Sequence, residues 1–151
     1  MSEKMREPQE AAMTKIINPR IRRVADSGTR VFMLLGADIQ FTGADLTQGR
    51  SGAAGYELEC IVWDDDPVFD DEIDRRITPI PRSRIGSNTS MEMQFDLSID
   101  KLRASEPGFE RVIELFGEFK LRRNGRQIGS SRSSSNLNYR FRVATRIPAP
   151  A

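Results

Sequence analysis

The densest group of chemically capable side chains in this 151-residue sequence is acidic. Between positions 57 and 74 no basic residue occurs, and nine carboxylates do: Glu57, Glu59, Asp64, Asp65, Asp66, Asp70, Asp71, Glu72 and Asp74. Crowded carboxylates repel one another unless something offsets their charge. A hard cation such as calcium, which takes about six to eight oxygen ligands, would offset it, and so would nearby arginines. The cluster therefore predicts either a cation site or a set of salt bridges.

One part of this cluster has a recognisable order, in which Val62-Trp63-Asp64-Asp65-Asp66 is followed by Asp71-Glu72-Ile73. The order resembles the third calcium-binding loop of C2 domains, a family of β-sandwiches. The resemblance implies calcium as the cofactor, with Asp64 and Asp66 as a ligand pair and Asp70 or Asp71 as a later ligand. It also implies a calcium-dependent contact with an anionic membrane or a protein. Asp74 stands where the family has glycine, and only Asp38 or Asp45 could supply the family's second ligand loop.

The end of the chain carries the opposite charge. No acidic residue occurs from Phe119 to Ala151, and eight basic ones do: Lys120, Arg122, Arg123, Arg126, Arg132, Arg140, Arg142 and Arg146. Arginine suits the bidentate recognition of carboxylate and phosphate. The candidate binding residues are Arg122, Arg123, Arg126, Arg132, Arg140 and Arg142, and their targets would be an acidic protein, an anionic lipid surface or nucleic acid. A net charge of only +1 makes nucleic acid the less favoured partner.

The acidic and basic segments together make the chain potentially self-complementary. If they lie on different faces, head-to-tail contacts between copies become possible, and such contacts close into rings or continue into filaments. If they lie on neighbouring strands, they neutralise each other within one molecule. The sequence leaves both arrangements open.

Histidine is absent from the sequence. This excludes Ser-His-Asp and Cys-His catalysis, His-bearing zinc sites and a near-neutral imidazole base. Four lysines accompany nineteen arginines, so amine chemistry has few candidates. No small-molecule substrate is evident, and the chain is predicted not to be an enzyme. A hydrolase using Asp70, Asp71 or Glu72 remains the distant alternative, because crowded acids on one loop show no division between acid and base.

The elements that must position these residues are strands, because apolar and polar residues alternate with a period of two. Met91 to Ile99 is apolar at every odd position and polar at every even one. Asn124-Gly125 predicts a hairpin turn, which needs positive φ at both residues. A bulge is expected at Phe116-Gly117. The predicted strands cover residues 21–24, 31–35, 39–41, 56–63, 91–99, 113–122 and 139–143.

Short strands separated by turn residues, with no amphipathic helix beyond a possible turn near 100–105, predict an all-β fold. The specific prediction is a single antiparallel β-sandwich, Ig-like, C2-like or jelly-roll-like, and a closed barrel is the alternative. Residues 1–18 are expected to form a flexible N-terminal arm, residues 19–146 the sandwich, and residues 147–151 a C-terminal tail. Cys60 is the one cysteine and is expected to be a small buried hydrophobe.

The leading functional hypothesis is a non-catalytic module that assembles through protein contacts, either with itself or with another protein, as in a larger particle or filament. The calcium-dependent C2-like module is the first alternative, and nucleic-acid binding through the basic strands is the second. The sequence shows neither a signal peptide nor a membrane-spanning stretch, which predicts a cytoplasmic protein or part of a particle assembled in the cytosol.

Overall fold

The computed structural model describes residues 13–65, 71–104, 112–133 and 137–140. The strands are β1 Lys15–Asp26, β2 Arg30–Gln40, β3 Tyr56–Asp64, β4 Asp71–Ile80, β5 Thr89–Ser98, β6 Val112–Arg123, β7 Arg126–Arg132 and β8 Leu137–Arg140. The helices are α1 Gly43–Ser51 and α2 Ile99–Ala104, and Arg82–Arg84 forms one 3-10 turn. No helix in these ranges has the length and apolar composition needed to cross a lipid bilayer.

The strands form two antiparallel sheets, which confirms the predicted all-β sandwich. Sheet A has the order β1-β2-β5, and sheet B has the order β4-β3-β6-β7, with β8 also paired to β6. β7 pairs with residues 118–123 of β6 and β8 with residues 112–115, so the two short strands share one side of the longer strand. The described strands therefore lie in two separate sheets rather than in one closed barrel.

The core lies between the two sheets and follows directly from the alternation. In β5 the odd residues Met91, Met93, Phe95 and Leu97 are all buried, while Glu92 and Gln94 are exposed. They share one hydrophobic cluster with residues from both sheets, among them Met33, Leu35, Leu58, Cys60, Phe119 and Leu121. Burying one such apolar side chain fully stabilises the fold by roughly 1.5–3 kcal/mol. Burial also raises the pKa of the Cys60 thiol to about 12, so Cys60 is the buried hydrophobe that its context predicted.

The first two strands are longer than the sequence predicted. β1 begins at Lys15, so residues 15–18, predicted to belong to the arm, form strand instead. β2 runs without a break through Gly36-Ala37-Asp38, between the two separate strands predicted at 31–35 and 39–41. Gly36 lacks a side chain because Arg20 packs there, with its Nε 3.0 Å from the position that a Cβ would occupy. The glycine thus accommodates a neighbouring arginine rather than a turn.

The glycine-rich stretch after β2 is helical, which the sequence did not predict. Gly43 begins α1, and Gly49 is buried in its last turn. A Cβ at Gly49 would stand 2.7 Å from Cδ1 of Ile85, so the missing side chain allows α1 to lie against the 3-10 turn region. α1 has no apolar stripe of period 3.6, which is the signal that would have predicted a helix.

The prediction of a bulge in β6 is also wrong. The register of β3 with β6 continues through Phe116 and Gly117, so no bulge interrupts that pairing. Phe116 and Gly117, where the apolar alternation is interrupted, lie between the part of β6 that pairs with β8 and the part that pairs with β7. There the Gly117 N–H donates to the Ser133 hydroxyl over 2.9 Å, and the Ser133 N–H donates to the Gly117 carbonyl over 2.8 Å. The serine-rich stretch that begins at Ser130 is strand up to Arg132, and residues 134–136 lie outside the described residues.

The predicted hairpin turn between β6 and β7 is present. Asn124 and Gly125 have φ of 48° and 81°. Asn124 also ties the turn to the segment before β3, because its N–H donates to the Gly55 carbonyl and its Oδ1 accepts from the Gly55 N–H, over 2.8 and 2.9 Å. Two hydrogen bonds therefore hold the turn against Gly55.

Gly125→Ala should lower the free energy of unfolding by about 1 kcal/mol, because an L-residue is strained by roughly 1–2 kcal/mol in the left-handed region. No atom lies within 4 Å of the Cβ position, so the whole effect is backbone strain. Gly55→Ala is the matched control, since its Cβ would meet only Asn124 Oδ1 at an ordinary 3.8 Å. Urea denaturation measures both, and equal midpoints for the two variants would contradict the prediction.

Candidate interaction surfaces

The outward face of sheet B is covered by its own charged side chains. In β3 the core cluster takes Tyr56, Leu58, Cys60 and Val62, so the residues between them point away from the core. Nevertheless Glu59 is only 1% exposed and Ile61 is fully buried. Arg75 of β4 and Glu118 of β6 lie opposite Ile61 in register. Long polar side chains, among them Arg75 and Glu118, thus cover the middle of this sheet, and we call this layer the sheet B lid.

Glu59 is the centre of that lid. It accepts a hydrogen bond from Nη1 of Arg75 at 3.1 Å and another from Nη2 of Arg122 at 2.9 Å. Arg75 also pairs with Glu72. Burial alone would raise the pKa of the Glu59 carboxyl, but the hydrogen bond and charge of Arg122, together with the charges of Arg75 and Lys120, outweigh it and hold the pKa below its ordinary range. Glu59 is therefore an ionised, structural carboxylate.

An aromatic and arginine stack continues the same face toward the end of β3. The Trp63 and Phe116 rings are stacked, with centroids 6.4 Å apart and planes inclined by 14°. The Arg132 guanidinium lies 3.6 Å from the Phe116 centroid and pairs with Asp65 at 3.4 Å. The Trp63 indole N–H donates to Glu118 at 3.2 Å. Each polar group of the stack is thus held by a neighbour on the same sheet.

The predicted basic binding residues are dispersed, and several hold carboxylates of the same chain. Arg122 pairs with Glu59, and Arg132 pairs with Asp65, so the basic and acidic segments partly neutralise each other within one molecule. Arg123 contacts Asp45 and Gln48 of α1. Arg126 is exposed at the β6–β7 hairpin. Arg140 ends β8, its side chain is not among those described, and Arg142 lies outside the described residues.

The predicted calcium ligands lie at the hairpin that joins β3 to β4. Asp64 and Asp71 face each other in register at the ends of these strands, and Asp64 is fully buried while Asp71 is exposed. Asp66 and Asp70 lie outside the described residues. Within the described ranges no three acidic or cysteine side chains gather closely enough to hold a metal ion. The calcium site therefore stays a prediction.

The two aspartates considered for a second ligand loop lie elsewhere in the sandwich. Asp38 is on β2, where the Asn18 amide donates to it over 3.0 Å. That hydrogen bond, with further ones from Ser90 and Arg20, outweighs burial and lowers the pKa of Asp38. Asp45 is on α1, where it accepts the Tyr56 hydroxyl at 2.5 Å. Burial, followed by this hydrogen bond, raises the pKa of Tyr56. Both aspartates thus have structural partners.

An open cleft lies at the end of the sandwich where α1 meets the β6–β7 hairpin. Its volume is about 370 Å³, and its lining includes Met13, Thr42, Asp45, Arg123 and Ile128. Met13 and Ile128 are exposed apolar residues in it. Arg123 and Asp45 already pair across it at 3.7 Å. The cleft is shallow, and its charged groups are engaged with each other.

The outward face of sheet A differs, because its centre is apolar. Phe32 and Leu34 of β2 alternate with the core residues and are only partly buried, and neither belongs to the core cluster. Ile17 of β1 lies in register beside Asp38 on the same face. The neighbouring β5 presents only polar residues there, namely Ser90, Glu92, Gln94, Asp96 and Ser98. We call this surface the sheet A face.

Ion pairs border the apolar centre of the sheet A face. Arg30 pairs with Asp96 at 2.5 Å, and Arg20 reaches Asp38 at 3.1 Å and Glu92 at 3.6 Å. Sequence reasoning missed Phe32 and Leu34 as surface residues. The signal was present in the unbroken run Val31-Phe32-Met33-Leu34-Leu35, which predicts a strand covered on both sides. The described residues that face these two side chains in register come from β1 and β5 of the same sheet, beside them rather than above them.

Glu59→Gln should lower the free energy of unfolding by about 2 kcal/mol at neutral pH, because hydrogen bonds to charged groups contribute roughly 1.5–3 kcal/mol. The Glu59 pKa is lowered in the fold, so its stabilisation is complete above the ordinary value of 4.5 and is lost as the pH falls through the lower folded value. The gap between wild type and variant should therefore narrow in acid. Chemical denaturation at several pH values measures this gap.

Asp96→Asn is the control for that experiment, because the Arg30–Asp96 pair is exposed on both sides. Exposed pairs contribute roughly 0–1 kcal/mol, so this variant should differ little from wild type. A Glu59→Gln variant as stable as Asp96→Asn, or a gap that widens in acid, would show that Glu59 does not organise the sheet B lid.

Comparison with known proteins gives the fold and no family. No protein-family profile matches the chain, and no curated protein matches it. A glycosyl hydrolase family 2 member from Bacteroides cellulosilyticus matches 85% of this chain with 14% of its own, at 6% identity and a TM-score of 0.50. Beta-glucosidase 3B from Thermotoga neapolitana matches 85% of this chain with 17% of its own, at 13% identity and a TM-score of 0.34.

A smaller protein gives a match of similar weakness, the putative ApaA protein from Bordetella pertussis. It matches 89% of this chain with 96% of its own, at 11% identity and a TM-score of 0.35. The chain spans only about one seventh of the length of the family 2 glycosyl hydrolase described above. What the two share is a β-rich fold.

Proposed function

We propose that this chain is a non-catalytic interaction module that assembles through protein contacts made by the sheet A face. The observation that carries the proposal is the pair Phe32 and Leu34, partly exposed at the centre of a sheet whose neighbouring strand is polar. Interfaces between proteins have this plan, with an apolar centre and a polar rim. The rim here consists of the Arg30–Asp96 and Arg20–Glu92 pairs.

The contrast between the two outward faces supports the choice of sheet A. On sheet B, Ile61 is fully buried beneath the chain's own charged side chains, and Phe116 is covered by Arg132. On sheet A, the corresponding apolar side chains keep part of their surface in water. Moving such a surface out of water contributes about 25 cal/mol per Å², so a partner that covers Phe32 and Leu34 gains free energy that the middle of sheet B has already gained internally. Ile77 on β4 is the exception on sheet B, since it is 50% exposed.

The ionisation of the described side chains supports a non-catalytic role. A general acid working near neutral pH needs a raised carboxyl pKa, and both Asp38 and Glu59 have lowered ones. A nucleophilic cysteine needs a thiolate, and burial raises the pKa of Cys60 to about 12. Histidine, the usual base, is absent from the sequence.

Three of the candidate arginines already pair with carboxylates of the same chain, which makes a protein partner a better proposal than nucleic acid. Arg122 and Arg132 each hold a carboxylate of the acidic segment, and Arg123 holds Asp45. A phosphate would have to displace these carboxylates before it could bind, and the buried Glu59 would then lose one of its two arginines, which costs free energy.

A cysteine at the sheet A face would report whether the face is covered in its native setting. Cys60 is buried and its thiol stays protonated, so Leu34→Cys becomes the one reactive thiol. We expect Leu34→Cys to react with a maleimide at least about tenfold more slowly in a gentle extract of the native host than in dilute purified protein, because a partner covers it.

Ile77→Cys is the control, because Ile77 is 50% exposed on β4 of the other sheet. It should react equally fast in both samples. Equal rates at Leu34→Cys in extract and in purified protein would overturn the proposal that the sheet A face is a binding surface. Melting temperatures of both variants show whether each has kept the fold.

A further inference from the structure

We infer that the partner of the sheet A face is the sheet A face of a second copy of this chain, related by a two-fold axis that runs parallel to β2. The inference rests on the proposed function, since it names the partner that covers Phe32 and Leu34. It is carried by the distribution of charge across the three strands of the sheet.

The two outer strands of sheet A carry opposite charge on the outward face. On β1 the charged outward residues are Lys15, Arg20 and Arg22, which lie in register beside Gln40, Gly36 and Leu34 of β2. On β5 the charged outward residues are Glu92 and Asp96, beside Gly36 and Phe32. The apolar centre on β2 thus separates a basic strand from an acidic one.

The outer strands β1 and β5 are complementary to each other for only one orientation of the axis, while Arg30 and Asp38 of β2 stay paired within each copy, with Asp96 and Arg20. When two copies face each other across a two-fold axis parallel to the strands, β2 lies over β2, and β1 of each copy lies over β5 of the other. Basic strand then meets acidic strand twice. A two-fold axis perpendicular to the strands instead places β1 over β1 and β5 over β5, so that like charges meet, which costs free energy.

The register across the sheet fixes which residues meet. Arg22, Leu34 and Gln94 form one row across the three strands, and Arg20, Gly36 and Glu92 form the next row on this face. About the parallel axis, Leu34 meets Leu34 of the second copy, and Arg20 faces Glu92 of the second copy. Sheets pack face to face about 10 Å apart with strands inclined by about 30°, which brings these side chains within reach of each other.

Gly36 makes the face suitable for such close packing. Its Cβ position lies 3.0 Å from Nε of Arg20 and 3.1 Å from Cγ of Glu92, so both long side chains lie across the glycine rather than standing up from the sheet. The Arg20–Glu92 pair within one copy, at 3.6 Å, is long enough to exchange for the same pair between copies. The rim can therefore rearrange without leaving either charge alone.

The size of the face sets the expected affinity. Three strands about 4.8 Å apart, each about ten residues long at roughly 3.3 Å per residue, cover on the order of 500 Å² per copy. A standard stable interface uses about 800 Å² per partner. We therefore expect a reversible dimer with a dissociation constant in the micromolar range or weaker, which forms where the chain is concentrated.

Sedimentation velocity over a concentration series tests the dimer. We expect a species of twice the 17.1 kDa chain mass to grow with concentration. The double variant Phe32→Ser with Leu34→Ser should stay monomeric, while Ile77→Ser, on the other sheet, should dimerise like wild type. A wild-type chain that remains monomeric at every concentration would overturn the inference.

Charge reversal tests the intermolecular pairing. Arg20→Glu alone and Glu92→Arg alone should each dimerise at least about tenfold more weakly than wild type, because each copy then brings like charges to the interface. An equal mixture of the two variants should recover the association, since the carboxylate introduced at position 20 of one copy then faces the guanidinium introduced at position 92 of the other. Failure of the mixture to recover would count against contact between these positions.

Chemical cross-linking tests the direction of the axis. A short bifunctional maleimide should join Arg22→Cys to Gln94→Cys when the two variants are mixed, because the parallel axis sets these positions opposite each other. Each variant alone should give little cross-linked dimer. Efficient cross-linking of each variant to itself, with no cross-link between the two variants in the mixture, would indicate the perpendicular axis and would overturn the arrangement.

The outcome also separates this inference from the proposed function. If Leu34→Cys is protected in native extract while the purified chain neither dimerises nor cross-links, a different protein occupies the face, and only the self-pairing is wrong. If Leu34→Cys reacts freely in both samples and the chain stays monomeric, both proposals are wrong.

Discussion

The rest of the structure depends on how Glu59 is held. A carboxylate on the outward side of a central strand would normally keep its water, yet this one is almost fully buried and is bound by Arg75 and Arg122. Those two arginines come from the strands on either side, β4 and β6, so one carboxylate ties three strands of sheet B together. Their aliphatic stems also shield the apolar surface beside it. Sheet B thus covers the middle of its outward face with its own side chains, and Ile77 on β4 stays half exposed beside it.

Sheet A must also cover the outward side of its central strand, but it has fewer strands with which to do so. It has three strands, and its central strand carries apolar residues on both sides. Its ion pairs, Arg20 with Asp38 and Arg30 with Asp96, run beside Phe32 and Leu34, whose surfaces remain partly in water. We propose that another molecule covers this apolar surface. The difference between the two sheets is the physical reason for placing binding on sheet A.

The sequence predicted most of the fold and little of the candidate surface. Alternation in β3, β5 and β6 was sufficient for the strands, because one buried face leaves a period of two. α1 was missed because Gly49 serves close packing, and the break predicted between residues 35 and 39 is absent because Gly36 makes room for Arg20 within a continuous strand. Neither role has a local signature. Phe32 and Leu34 were recognised as strand residues, but a sequence cannot show that only one of the two sides of their strand finds cover within the chain.

Charge was the feature most easily misinterpreted from sequence. Nine acids in one segment and eight bases in another suggest two patches that attract separate molecules. Antiparallel pairing of β3 with β6 instead sets Glu57 beside Arg122 and Glu59 beside Lys120, so parts of both segments become neighbours across a ladder. Much of the attraction therefore acts within one sheet and holds it together. The asymmetry that remains available for recognition is the smaller one across sheet A, between the basic outward side of β1 and the acidic outward side of β5, and it is organised around an apolar centre.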